Sequence, residues 1–235
     1  MKKKNINYQD ILSRYPKKRP LLSEEYKKIF NEHYSSNREG AGFANFISQK
    51  MESWMHKKIS KIHGEEILEL GAGNLNHLNY EKNFSRYDII EPFEELYKNE
   101  KSKDKITKIF TSTSQVDYKY DKIISIATLE HLTNLPKEIE LCKKLLKSNG
   151  VLQIGVPCEG EIAFKIGWLI TTGISFKLKY NLDYSKIMAH EHVNTIEEIS
   201  LVLRENFKIE KFHRSPFILP FKNLSFYAYF ECRNL

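Results

Sequence analysis

Glu66-Ile67-Leu68-Glu69-Leu70-Gly71-Ala72-Gly73-Asn74 is the stretch on which the fold turns. An apolar strand pattern runs straight into a glycine-containing turn, where backbone can approach a ligand with no Cβ in the way. The next apolar run, Tyr87-Asp88-Ile89-Ile90, ends in Glu91, 18 residues beyond Gly73. An acid at the end of a second strand can accept both hydroxyls of a ribose. Either feature alone has an ordinary explanation, a tight strand-to-helix turn or a solvated strand-end charge. In this order and spacing they point to a nucleoside-containing cofactor. A dinucleotide is disfavoured, because its fingerprint needs G-x-G-x-x-G and Gly71-Ala72-Gly73-Asn74-Leu75-Asn76 lacks the third glycine.

Outward from this stretch, short apolar runs alternate with helical segments. Candidate strands are Glu66–Leu70, Tyr87–Ile90, Ile106–Phe110, Lys122–Ile126 and Val151–Val156. Runs of this length between helices predict a parallel sheet of βαβ units. Leu135, Ile139, Cys142, Leu145 and Leu146 form one apolar helix face, with Asn149-Gly150 as the expected stop. Thr195-Ile196-Glu197-Glu198 reads as a capping box opening a helix that carries Ile199, Val202 and Leu203. Two aromatic-rich strands, Phe207–Phe212 and Ser225–Cys232, follow and are expected to pair as a hairpin. Before residue 65 the chain reads as helical, with Phe43, Phe46, Ile47, Met51, Trp54, Met55, Ile59 and Ile62 at spacings of three and four.

Composition bounds the alternatives. A chain of 235 residues with 41% hydrophobic content can bury one sizeable core. Three distant cysteines without a C-x-x-C pair predict neither a disulfide framework nor a cysteine-based zinc site. No export signal follows Met1-Lys2-Lys3-Lys4, and the most apolar stretch, Ile162 to Phe176, is interrupted by Lys165 and too short to span a bilayer. A cytoplasmic protein is expected. The net charge of +7 invites a nucleic-acid reading, but the surplus lies in residues 1–62, which hold 14 Lys/Arg against 6 Asp/Glu; the remainder is nearly neutral.

Four blocks together resemble the class I S-adenosylmethionine-dependent methyltransferases, in their small bacterial branch. They are Glu69-Leu70-Gly71-Ala72-Gly73, then Glu91-Pro92, then Tyr120-Asp121-Lys122-Ile123-Ile124-Ser125-Ile126-Ala127-Thr128-Leu129-Glu130-His131-Leu132, and finally Leu145 to Pro157. The resemblance runs from about residue 35 to the end and is similar in pattern to capsule and lipopolysaccharide-pathway members. It implies a Rossmann-like α/β fold: a seven-stranded, mostly parallel sheet with helices on both faces. It also implies a helical lid over residues 1–64, a catalytic domain over 65–235, and an acceptor-covering insertion over 158–194. The implied cofactor is S-adenosyl-L-methionine. Glu69, Gly71, Ala72 and Gly73 would shape the loop at its methionine part, and Glu91, followed by Pro92, would hold the ribose. Ala127 and Thr128 would lie near the sulfonium. Thr111 and Ser112 stand where many members have an acid for the adenine, so a hydroxyl or backbone contact would replace it.

A sulfonium methyl is already activated, so transfer needs mainly proximity and alignment; a hydroxyl acceptor adds the need for a base. Base candidates are His131, and His190 and His192 in Ala189-His190-Glu191-His192-Val193-Asn194-Thr195, with Tyr184 and Glu159 behind them. The spacing is not H-E-x-x-H on a helix, so no metal is expected. Phe164, Trp168, Phe176 and Tyr180 of the insertion suggest a closed pocket for a small or saccharide-linked acceptor. Lys17, Lys18, Arg19 and Arg38 could meet an anionic one. The competing readings are an RNA-modifying methyltransferase, against which stands Ala127-Thr128-Leu129-Glu130 in place of an Asn/Asp-Pro-Pro-Tyr/Phe motif, and a non-catalytic methyltransferase-like subunit.

Overall fold

The computed structural model describes residues 7–36, 53–215 and 224–235. Seven strands form one sheet: β1 (Glu66–Leu70), β2 (Arg86–Ile90), β3 (Lys108–Phe110), β4 (Tyr120–Ile126), β5 (Leu146–Pro157), β6 (Phe207–Ser215) and β7 (Tyr227–Asn234). Their order is β3-β2-β1-β4-β5-β7-β6. The first five strands run parallel, and β7 lies antiparallel between β5 and β6. The chain reverses its winding between β1 and β4, so a crevice opens beyond the carboxyl ends of these two strands.

Alternation along the strands feeds two cores. Leu68 and Leu70 of β1 join a cluster with Ile139, Cys142, Ile199 and Val202. These last four belong to α4 (Leu135–Leu145) and α8 (Ile196–Asn206). Ile67 points the opposite way, into a cluster with Met55 and Ile59 of α3, whose described turns span 53–59. The amino-terminal α1 (Tyr8–Leu12) places Ile11 in the first of these cores. Leu22, Tyr26 and Ile29, the last two on α2 (Glu24–Ser36), pack on Phe176 and Ile187 of the insertion, in a third cluster. That insertion runs as α5 (Ile162–Trp168), a π turn at Leu169–Gly173, α6 (Ile174–Tyr180) and α7 (Ser185–Glu191).

The capping box of α8 is present: Glu198 N–H donates to Thr195 Oγ1 (3.3 Å), and Thr195 N–H donates to Glu198 Oε2 (2.9 Å). Other expectations need correction. Full helices between the first four strands are replaced by short 3₁₀ turns, at His77–Tyr80, Glu94–Leu96, Lys101–Lys105 and Thr113–Gln115. Those segments lack an apolar stripe, and Asn74, Asn76 and Asn79 favour local side-chain bonding over helix. Asn149-Gly150 does not stop a helix. α4 ends at Leu145, Leu146 already pairs with Tyr120, and the pairing then jumps to Lys122–Val151, so Asn149-Gly150 lies in an irregularity of β5. A Cβ on Gly150 would fall 2.7 Å from the Leu146 side chain, which lets only glycine close that fold-back. The candidate helix residues Phe43, Phe46, Ile47 and Met51, and Arg38, lie outside the described residues.

Candidate active site

Four strand ends converge on one crevice. Gly71 and Gly73 follow β1, Glu91 and Pro92 follow β2, Thr111 and Ser112 follow β3, and Ala127 and Thr128 follow β4. All eight line a cleft of about 1010 Å³, the size of a cofactor site. Gly71 has φ +74° and Gly73 φ +51°. A Cβ on Gly71 would sit 2.2 Å from Thr128 Oγ1, whereas a Cβ on Gly73 would meet nothing within 4 Å. One glycine is therefore dictated by packing, and the other leaves open space facing the cleft. Leu75 (φ 60°) and Ala127 (φ 49°) also adopt left-handed backbone, so two non-glycine residues flank this cradle under strain. Leu75, two residues beyond Gly73, tolerates the conformation because its side chain is fully buried with Leu78 and Tyr87.

Glu91 organises the loop. Gly73 N–H donates to Oε2 (2.8 Å) and Phe93 N–H to Oε1 (3.1 Å), which fixes the carboxylate at the cleft edge. Thr111 is oriented by Gln115, whose Oε1 accepts both the Thr111 N–H and its hydroxyl (2.9 and 3.1 Å). Glu69 and Ala72 do not line the cleft: both are buried behind the loop. Glu69 accepts from the Tyr87 hydroxyl (2.6 Å), and burial pushes its carboxyl up to about 8, only partly opposed by that bond. Phe93, Leu96 and Thr113 also line the cleft; Phe93 and Thr113 directly follow Pro92 and Ser112, which was the available signal, whereas Leu96 lies four residues beyond Pro92.

The far end of the cleft is built from His131, His190 and Glu191. His192 lies beside them, its ring 4.8 Å from that of His131 and its Nδ1 donating to Glu159 Oε2 (2.8 Å). Buried Asn194 holds this corner together. Its Nδ2 donates to the carbonyls of Leu129 and Leu132 (both 2.7 Å), its Oδ1 accepts from Tyr15, and Val193 and Asn194 N–H donate to the Glu130 carbonyl. Burial pushes the His131 imidazole down to about 4. His192 moves the other way: burial would lower it, but the Glu159 bond and the neighbouring carboxylates outweigh that and raise it. Burial lifts the Tyr184 phenol to about 12, against Trp168 and Phe176.

Two expectations about the acceptor end are overturned in detail. Phe164, Trp168, Phe176 and Tyr180 do not line the cleft; Phe176 and Tyr180 pack on Leu22, Tyr26 and Ile29 of the amino-terminal segment. Lys17 and Arg19 are spent on the chain itself. Lys17 Nζ donates to Val193 O (2.7 Å) and pairs with Glu198 (2.8 Å); Arg19 donates to the carbonyls of His131, His190 and Glu191 (2.8–3.1 Å).

The strand order, the glycine turn after β1 and the acid after β2 together define the fold of class I S-adenosylmethionine-dependent methyltransferases. Comparison with solved structures agrees. The chain is similar to the N-methyltransferase NodS from Bradyrhizobium japonicum WM9 in complex with S-adenosyl-L-homocysteine, at 14% identity over 90% of this chain and 99% of that one, with a TM-score of 0.58. It is equally similar to the plantazolicin methyltransferase BpumL in complex with a monoazolic desmethyl-plantazolicin analogue and S-adenosyl-L-homocysteine (15%, 90% and 96%, 0.58). The magnesium protoporphyrin IX methyltransferase from Synechocystis PCC 6803 follows at 14%, 88% and 100%, with a TM-score of 0.56. No protein-family model matches the sequence, and no curated protein is significantly similar to it. Among the described residues, no helix is long and apolar enough to cross a membrane.

Proposed function

We propose that this chain is an enzyme that binds S-adenosyl-L-methionine in the cleft and transfers its methyl group to an oxygen of a small acceptor. The observation that carries the reading is the convergence of the Gly71/Gly73 cradle, Glu91 and Ala127-Thr128 on one cleft at the switch point of the sheet. The cradle fits the cofactor, since the open space beside Gly73 is where a Cβ would obstruct it. The cofactor supplies a methyl group already activated as a sulfonium, so the protein contributes binding and alignment. Glu91 would hold the ribose hydroxyls, Thr111 and Ser112 would meet the adenine, and Gly71, Gly73, Ala127 and Thr128 would position the methionine part. Glu69 and Ala72 support the loop from beneath. His131, His190 and His192 at the other end give a hydroxyl acceptor groups able to take its proton.

A small acceptor suits a cleft whose far wall is closed by Phe30, His190 and the Arg19 staple. A saccharide-linked oxygen acceptor stays part of the proposal, although the similar solved proteins are named as an N-methyltransferase, a plantazolicin methyltransferase and a magnesium protoporphyrin IX methyltransferase rather than for surface polysaccharides. The amino-terminal segment acts as the lid in this reading, because Phe30 and Arg19 form part of the cleft wall. The RNA-modifying alternative loses support where Lys17 and Arg19 bind the chain's own carbonyls.

Glu91→Ala tests the cofactor site. Loss of charged hydrogen bonds of this kind costs about 1.5–3 kcal/mol, so S-adenosylhomocysteine should bind at least about tenfold more weakly by calorimetry. Unchanged affinity in a variant that melts like the parent would remove the ribose from this position.

A further inference from the structure

Three groups able to ligate a cation meet at the acceptor end. One carboxylate oxygen of Glu130 and one ring nitrogen each of His131 and His192 lie within 4.8 Å of one another. The turn Leu129–His131 supplies two of them, and the loop after α7, bound to the Glu130 carbonyl through Val193 and Asn194 N–H, brings the third. Both rings spend their Nδ1 outward. His131 Nδ1–H donates to Glu191 O (3.0 Å), since a carbonyl can only accept. His192 Nδ1–H donates to Glu159 (2.8 Å). That leaves Nε2 of each ring as the atom able to take a cation. His131 Nε2 stands 3.8 Å from Glu130 Oε1, too far for a hydrogen bond.

Glu130 supplies the independent observation. It is 1% exposed, and its Oε2 has no hydrogen-bond partner among the described residues. A buried carboxylate oxygen left unpaired beside two imidazoles is an unsatisfied group that a bound cation would meet. The outward Nδ1 bonds, to a backbone carbonyl and to a carboxylate, are the supports that metal-ligating histidines have.

We propose that Glu130, His131 and His192 bind one divalent transition-metal ion, with Glu159 and the Glu191 carbonyl orienting the two rings. Two imidazoles and one carboxylate suit a first-row transition ion better than magnesium or calcium, and a three-ligand set leaves coordination positions open. His131 lines the cleft, so those positions face the acceptor end, where an oxygen donor of the acceptor can bind. This role rests on the methyl-transfer reading; the ion site itself does not. With the ion bound, His131 and His192 are ligands, and proton acceptance falls to His190.

The test is titration of tag-free, chelator-stripped protein with Co²⁺, followed by its visible absorption. One ion per chain is expected, with no sulfur-to-cobalt charge-transfer band. Glu130→Gln and His192→Gln, both near-isosteric, should each abolish the signal while retaining circular dichroism and a cooperative melt. Glu159→Ala should weaken Co²⁺ roughly 10- to 100-fold, as loss of an outer-shell partner does. No saturable Co²⁺ binding by the parent protein, or unaltered binding in whichever of the two Gln variants folds, overturns the site. Calorimetry with S-adenosylhomocysteine on the same stripped protein separates the two readings. Cofactor bound without Co²⁺ binding removes only the metal site; Co²⁺ bound without cofactor keeps the site and removes its role in methyl transfer.

Discussion

Lys122→Met is expected to destabilise the protein by about 3–5 kcal/mol, the cost of leaving one member of a buried ion pair alone. Lys122 is fully buried on β4, and its three ammonium protons have three acceptors: Glu81 Oε1 (2.5 Å), Ile62 O (2.7 Å) and Ile59 O (3.2 Å). The two carbonyls come from the end of α3 and the residues just after it, so the lysine fastens the helix to the sheet at its negative end. Glu81 also meets His77 Nε2 (2.7 Å), and His77 is linked to His56 through their Nδ1 atoms (3.0 Å), all out of reach of water. Burial holds the lysine below its ordinary range, and Glu81 opposes that shift. Methionine fills the stem but leaves the Glu81 charge with His77 alone and two carbonyls unmet. For a chain of this size a loss of that magnitude lowers the melting temperature by about 6–20 °C. A drop under 2 °C in a thermal melt would show that the pair is energetically idle. The double variant Lys122→Met/Glu81→Leu should recover part of the loss, because it removes the stranded charge.

Gly71→Ala is expected to weaken S-adenosylhomocysteine binding about 100-fold, the scale of effect that a displacement near 1 Å can produce at a positioning element. The new methyl group would have to occupy space 2.2 Å from Thr128 Oγ1 and 2.4 Å from its Cγ2, at φ +74°. Either Thr128 leaves its bond to the Ile126 carbonyl (3.0 Å), or the turn lifts away from the Ile90 carbonyl that accepts the Gly71 N–H (2.9 Å). Both movements deform the cleft wall, so the melt should fall together with affinity. Gly73→Ala separates the effects: its methyl meets no protein atom within 4 Å, so binding should suffer while the fold pays only for the left-handed backbone, about 1–2 kcal/mol. Equal binding by the parent and Gly71→Ala, measured by calorimetry, would show that the turn does not shape the site.

How far the sequence could be read depended on whether the governing interaction was local. The strands announced themselves because β1, β2 and β4 are buried on both faces and read as short segments rich in apolar residues. The Thr195 capping box is a three-residue interaction and was legible as such. Glycine turn and strand-end acid were likewise visible, because strand topology alone brings Gly73 to Glu91. The helices expected between the early strands were not there, since nothing in Lys101–Lys105 or His77–Tyr80 offers an apolar stripe to bury. Long-range partners were out of reach. Arg19 reads as a free cation until the fold places it against the carbonyls of residues more than a hundred positions away. Glu159 reads only as a weaker base candidate until the fold places it against His192. Glu130 read as part of a motif, and only the fold shows that it is buried with one carboxylate oxygen unpaired.

Isothermal titration of the parent protein with S-adenosylhomocysteine tests the central claim most directly. One molecule bound per chain, with affinity reduced by Glu91→Ala, is the predicted result. No heat of binding at high-micromolar ligand, from protein that melts cooperatively, would contradict it.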